Sequence, residues 1–254
     1  MDSKSPTPVP HPQKPTSKNK DFLTHLEIYL AKRDGVDKLL KISRYAAKIV
    51  LASSLLTQQP LLSRLQSFES SVGVSRKAFR LGKFIQDVNV LRSTHFTSHS
   101  HLNIALTLLA YGGEGLYFFI EQFVWLGKAG LIDKRHLPRL QKWSAWCEFL
   151  GYFGSVGMKV VELRKIDEEE RCLVTSIDVA VVRGIGCGEE EDKLGRLREK
   201  KMMKRLSVVQ DLADALMALA DIRDGGGRLS GPMVVSSAGL VSAVISTHKN
   251  WVSC

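Results

Sequence analysis

The sequence predicts an all-α, membrane-associated helical protein with amphipathic helices in the N-terminal third and a C-terminal transmembrane helix. Three observations lead there. Apolar residues recur at helical spacing through most of the chain, and only residues 177–182 read as a possible short strand or helical turn. Lys and Arg outnumber Asp and Glu by 36 to 26, a formal net charge of +10, which calls for an acidic partner: nucleic acid or an anionic lipid surface. Residues 229–247 carry no charge and are long enough to span a bilayer with a slight tilt. Between the two acidic partners, lipid is favoured. No zinc-finger spacing occurs, and Phe and Tyr fall in apolar segments rather than on a basic strand face, so no nucleic acid partner is expected.

The N-terminal residues 1–20 hold Pro6, Pro8, Pro10, Pro12 and Pro15 among Ser, Thr and Lys, a composition that predicts a disordered tail. Residues 21–100 read as a basic amphipathic helical module. Asp21 is a plausible N-cap for a short helix through Phe22, Leu26, Tyr29 and Leu30, which Asp34-Gly35 should break. A second basic helix follows over 36–56, with Lys38, Lys41, Arg44 and Lys48 interleaved among its apolar residues.

Residues 70–91 form the part around which the rest is organised. On a helical wheel of roughly 100° per residue, Val74, Ala78, Leu81, Phe84, Ile85, Val88 and Leu91 share one arc, the width of a buried stripe. Arg76, Arg80 and Lys83 lie opposite, and Lys77 can snorkel from the edge. A helix of this kind lies in a membrane surface, its apolar arc ~5–10 Å deep among acyl chains and its basic groups on lipid phosphates. An ordinary core-facing helix of a soluble bundle is the plainer alternative.

His95, His99 and His101 sit in or beside a polar loop without a carboxylate partner on a helical face, so no metal is expected. Residues 101–163 read as apolar membrane-associated helices. The stretch 102–125 is interrupted by Glu114 and Glu121, so it should pack in a bundle or lie partly in the interface. The stretch 143–158 reaches only ~24 Å, short of a ~30 Å hydrocarbon core, and contains Glu148. Gly112, Gly113 and Gly115 in the first, and Gly151, Gly154 and Ser155 in the second, suit close helix packing.

Residues 164–192 read as a charged loop. Residues 193–227 form a long amphipathic helix, cationic in its first half and stopped by Gly225-Gly226-Gly227. Asp211, Asp214, Asp221 and Asp224 fall on its far side, where a solvated face is the expectation, because no tight D-D-x-x-D pair of clusters exists to hold Mg²⁺. Residues 228–254 are the transmembrane anchor and a short tail, with Gly239, Ser242, Ala243 and Ser246 as a small-residue face for helix packing and oligomerisation. The widely spaced Cys147, Cys172, Cys187 and Cys254 suit free thiols in a reducing compartment. No secretory signal is expected at the N-terminus. No nucleophile, metal constellation or dinucleotide loop is present in the pattern, so neither catalytic residues nor a cofactor is expected.

Four stretches carry a resemblance: YLAKRDGVDKLLKISRYAAKIV (29–50), SFESSVGVSRKAFRLGKFIQDVNVL (67–91), AYGGEGLYFFIEQFVWL (110–126) and QDLADALMALADI (210–222). Together they resemble the plant-type peroxisomal membrane protein 11 family, also called peroxin 11. The resemblance implies a multi-pass peroxisomal membrane protein with both termini in the cytosol. It implies elongation and tubulation of the organelle before division, by insertion of the amphipathic helix carried over here onto residues 74–91. It implies self-association into homo-oligomers or with related members, cooperation with a fission receptor and a dynamin-related GTPase, and no catalytic residues. Related proteins have also been proposed as pores for small metabolites, a path that Glu114, Glu121 and Glu148 would line.

Overall fold

A computed structural model describes residues 22–53, 58–94, 100–184, 186 and 188–254. The proline-rich tail, His95 and His99, and Cys187 lie outside the described residues. Among them the chain is helical, in eight α-helices: α1 (Phe22–Ala31), α2 (Arg33–Ala52), α3 (Gln59–Phe79), α4 (Phe84–Ser93), α5 (His101–Lys128), α6 (Leu137–Val182), α7 (Gly188–Ile222) and α8 (Pro232–Val252).

The first break comes earlier than Asp34-Gly35. The chain bends at Lys32, and Asp34 sits in the first turn of α2, where the positive end of the helix dipole favours a carboxylate. Gly35 is needed there for space: a Cβ would lie 2.0 Å from the Tyr29 carbonyl oxygen.

The expected single helix over 70–91 is two helices. α3 ends at Phe79, residues 80–83 form a turn, and α4 starts at Phe84. Gly82 is the cause, with φ +72° in the left-handed region that side-chain-bearing residues avoid. The turn is tied across the chain by Arg33, which donates to the Leu81 carbonyl at 2.9 Å.

α5 and α6 form the central antiparallel pair. They cross with backbones almost touching: a Cβ on Gly154 would fall 2.5 Å from the Ala110 amide nitrogen, and one on Gly113 would fall 2.7 Å from that of Gly151. Gly113, Gly151 and Gly154, marked for close packing, make this contact, whereas Gly112 faces open space and Gly115 faces Asp87 of α4.

At 46 residues, α6 is ~69 Å long, far longer than its partner. Its second half takes in most of the segment expected to be a charged loop. That expectation fails because the charges are paired across a helical hairpin with the start of α7. Lys201 binds Asp167 at 2.6 Å and Glu170 at 2.7 Å, Arg198 binds Glu170 at 2.9 Å, and Lys204 binds Glu162 at 2.6 Å. Ile166 is buried in the same stretch. α7 ends as expected at the glycines, where the Gly225 amide donates back to the Ala220 carbonyl at 3.1 Å.

α8 lies against α2 and α7. It begins at Pro232, three residues into the uncharged run, and its last turns take in His248, Lys249 and Asn250. Helix and apolar run are thus out of step. Among the described residues α5, rather than α8, is the one helix long and apolar enough by itself to cross a membrane.

Candidate functional site

The bundle leaves much apolar surface outside and takes several charged groups inside. α8 turns Ser236, Gly239, Ser242, Ala243 and Ser246 inward and leaves Met233, Val234, Val241 and Val244 exposed. α5 exposes Leu102, Leu108, Leu116, Phe119 and Phe123, and only 17% of its most apolar eighteen residues is buried, far less than in the core helix of a soluble protein. α6 adds Trp143, Trp146, Leu150 and Phe153 to the same exterior. Exposed apolar surface on this scale marks a membrane or partner interface.

Charged side chains share the interior with a core that includes Tyr29, Tyr117, Phe118, Val124 and Ile166. Lys41 of α2 donates to Asp214 of α7 at 2.8 Å and to Ser242 of α8 at 2.6 Å, which ties three helices at one ammonium group. Asp37 accepts from Arg76 at 3.0 Å and from Arg80 at 3.4 Å. Arg80 also donates to the Tyr117 hydroxyl at 3.0 Å. Glu121 is paired with Lys77 and accepts from Ser144 at 3.2 Å. Asp211 is paired with Lys159 and accepts from Ser155 at 2.7 Å. Buried charge is costly unless paired in this way.

The basic residues of the 70–91 segment consequently point the other way from the expectation of a lipid-facing row. Arg76 is 5% exposed, and Lys77, Arg80 and Lys83 are engaged with Glu121, Asp37 and Asp34. The apolar arc is divided: Leu81, Ile85 and Val88 are exposed, while Val74, Ala78, Phe84 and Leu91 are half-buried. Phe84 meets Phe119 edge to face at 5.5 Å between ring centres, so α4 continues the apolar surface of α5.

Two further expectations are corrected. Asp211 and Asp214 are buried and paired, not solvated. The face Gly239, Ser242, Ala243 and Ser246 does pack a helix, but that helix is α2 of the same chain: a Cβ on Gly239 would fall 2.2 Å from the Tyr45 ring. As folded, the face is covered and not offered to a second copy.

The family model described as Peroxisomal biogenesis factor 11 (PEX11) matches residues 23–251. The chain belongs to this family. It is 58% identical to Peroxisomal membrane protein 11A of Arabidopsis thaliana over 255 residues, covering all of both chains. It is 56% identical over 236 residues to Peroxisomal membrane protein 11-3 of Oryza sativa subsp. japonica, covering 92% of this chain and 91% of that one. It is 46% identical over 241 residues to Peroxisomal membrane protein 11-2 of the same rice, with the same coverage. No solved structure matches the chain.

For this member of the family, one wheel over 70–91 does not describe the segment: the turn at 80–83 divides the apolar arc, and the basic residues turn inward. Sequence reasoning missed Asp37, Lys41, Lys159, Asp211 and Asp214 as interior groups. A signal for two of them was present: Asp211 and Asp214 stand in a run, VVQDLADALMALA, whose other residues are almost all apolar. An acid in such a run reads as a buried, partnered group. Outside the bundle, the hairpin has its own electrostatics. Hydrogen bonds from Lys201 and Arg198 hold the Glu170 carboxyl below its usual range, and those to Asp167 and Glu170 raise the Lys201 ammonium above its own. Cys147 and Cys172 are free thiols.

Proposed function

We propose that this chain is a multi-pass protein of the peroxisomal membrane, with both termini in the cytosol, that elongates and tubulates the membrane during peroxisome proliferation and fission. The observation that carries the reading is the exposed apolar edge Leu81, Ile85 and Val88 beside the exposed Phe119 of α5. A short amphipathic helix held at the rim of an embedded bundle enters one leaflet only. It enlarges that leaflet without matching area in the other, and the bilayer relieves the difference by curving. The bundle keeps α4 at the right depth, so the wedge works without a basic row on lipid phosphates; anionic lipid is attracted by the overall positive charge instead. Many copies acting together are required, which supports homo-oligomers or mixed assemblies with related members. A fission receptor and a dynamin-related GTPase would then sever the tubule.

The test is Leu81→Glu together with Ile85→Glu, which removes two apolar insertions of ~1–1.5 kcal/mol each and places carboxylates at the rim. Peroxisomes carrying this variant should keep the protein in carbonate-washed membranes and fail to elongate. Normal elongation would refute the assignment of the wedge to α4.

A second reading, a pore for small metabolites, is favoured by one observation: Glu114, Glu121 and Glu148 all line polar cavities inside the bundle. Solute flux through reconstituted liposomes supports it; tubulation without flux supports the wedge alone.

A further inference from the structure

The turn between α5 and α6 carries a concentrated positive charge. Residues 128–142 hold five Lys or Arg against one acid, Asp133. Gly130, at φ +90°, ends α5, and the Leu131 amide donates back to the Leu126 carbonyl at 3.0 Å. An apolar residue after such a turn frequently packs back on its own helix. Leu131 does not: it is 76% exposed.

The one acid is taken locally. Asp133 accepts from the Arg135 amide at 3.0 Å and from the Arg135 guanidinium at 2.8 Å. Lys134 and Arg139 are exposed and have no ion-pair partner among the described residues. Lys142 reaches Asp224, just past the end of α7, at 3.1 Å, but its side chain is 51% exposed and that of Asp224 is 77% exposed. These cations also crowd the positive end of the α6 dipole, where an acid is the favourable residue and the first turn has none. The turn repels its own charges, and an anion from outside relieves it.

We propose that the α5–α6 turn binds the headgroups of anionic lipid, with Lys134, Arg135, Arg139 and Lys142 on the phosphates and Leu131 and Trp143 in the acyl boundary. The apolar neighbours identify lipid as the source of the anion. Trp143, exposed like Leu131, begins the apolar exterior of α6, and a bilayer interface takes an indole and a leucine beside basic groups. A dissolved acidic partner has no use for that surface. The Lys142–Asp224 contact places the turn beside the loop that precedes α8, at the opposite end of α8 from Trp251 and α1. It therefore meets the leaflet away from the termini. The inference rests on the reading of the bundle as membrane-embedded, and goes beyond it by giving the attraction for anionic lipid a place.

The test uses the full chain reconstituted in phosphatidylcholine bilayers, with spin-labelled phosphatidylserine or phosphatidylcholine as the probe. Electron spin resonance resolves the lipid slowed by contact with the protein and so gives the preference for one headgroup over the other. Phosphatidylserine should be preferred roughly fivefold at low salt, and less at high salt, where screening weakens the attraction. Lys134→Gln combined with Arg139→Gln should remove most of that preference. Lys193→Gln combined with Arg196→Gln, exposed changes of equal charge out on the hairpin, should leave it intact. An equal loss in both double variants would assign the attraction to net charge and overturn the site, as would a parent chain that slows lipid without preferring phosphatidylserine. A chain that slows no lipid at all is not embedded, and that result overturns the membrane reading together with the site.

Discussion

Removing Asp214 separates the inward-charged architecture from a solvated acidic face. Lys41 and Asp214 meet at 2.8 Å with side chains only 7% and 6% exposed. At an effective dielectric of about 20 their attraction is roughly 6 kcal/mol, most of which is offset by the loss of hydration of both groups. Asp214→Ala removes the attraction and leaves the ammonium group buried, with the Ser242 hydroxyl as its remaining hydrogen-bond partner. The expected cost is ~3–5 kcal/mol, which at ~2–4 °C per kcal/mol for a chain of this size lowers the unfolding midpoint by on the order of 10 °C. Lys41→Met combined with Asp214→Leu removes both charges and should recover most of that loss, because apolar groups of similar volume need no hydration. The assay is thermal unfolding of the purified full chain followed by tryptophan fluorescence, with the two single variants completing the cycle. A cost under ~1 kcal/mol for Asp214→Ala is what an exposed ion pair gives. It would refute the buried network.

Two further outcomes are expected. In single-tryptophan variants reconstituted with brominated acyl chains, Trp143 and Trp146, exposed on α6, should be strongly quenched. Trp251, stacked against Phe22, His25 and Tyr29 of α1, should be quenched much less, and equal quenching at all three would remove the apolar exterior from the bilayer. The helical hairpin should have a bounded pH range, read by hydrogen exchange along the second half of α6. Glu170 is depressed when folded, so its contribution is complete above the ordinary value of 4.5 and lost as the pH falls through the folded value. Lys201 is raised, so its contribution is complete below the ordinary 10.5 and lost as the pH rises through the folded value. Glu170→Gln should abolish the acid-side loss of protection; an unchanged acid limb would assign it to other carboxylates.

Hydrophobic periodicity was enough to establish that the chain is helical and to place most of the helices, because the 3.6-residue repeat is a local property. Glycine positions were legible for the same reason. Gly151 and Gly154 could be marked for close approach, and the glycines at 225–227 for the end of α7, without knowledge of any partner. The long segments shared with a known family were also legible, since they depend on residue order alone. The break at Gly82 was not, because a glycine inside an amphipathic pattern leaves the wheel undisturbed. The segment 164–192 reads as solvated loop because its charges find partners only when Arg198 and Lys201 arrive from 28 to 34 positions away to pair Asp167 and Glu170.

Which way each amphipathic face points was decided only by the tertiary structure. A helical wheel separates polar from apolar residues, but it carries no sign: the same separation serves a polar face in water and a polar face in the core. The sign comes from whether partners of opposite charge lie on the neighbouring helices. Arg76 and Arg80 turn inward because Asp37 is there to receive them, and Lys41 because Asp214 and Ser242 are. Those partners stand up to 201 positions away in the chain. Pairing at such separations, with an acid or a hydroxyl, exists only once α2, α3, α7 and α8 are packed, so no local reading of the residues contains it.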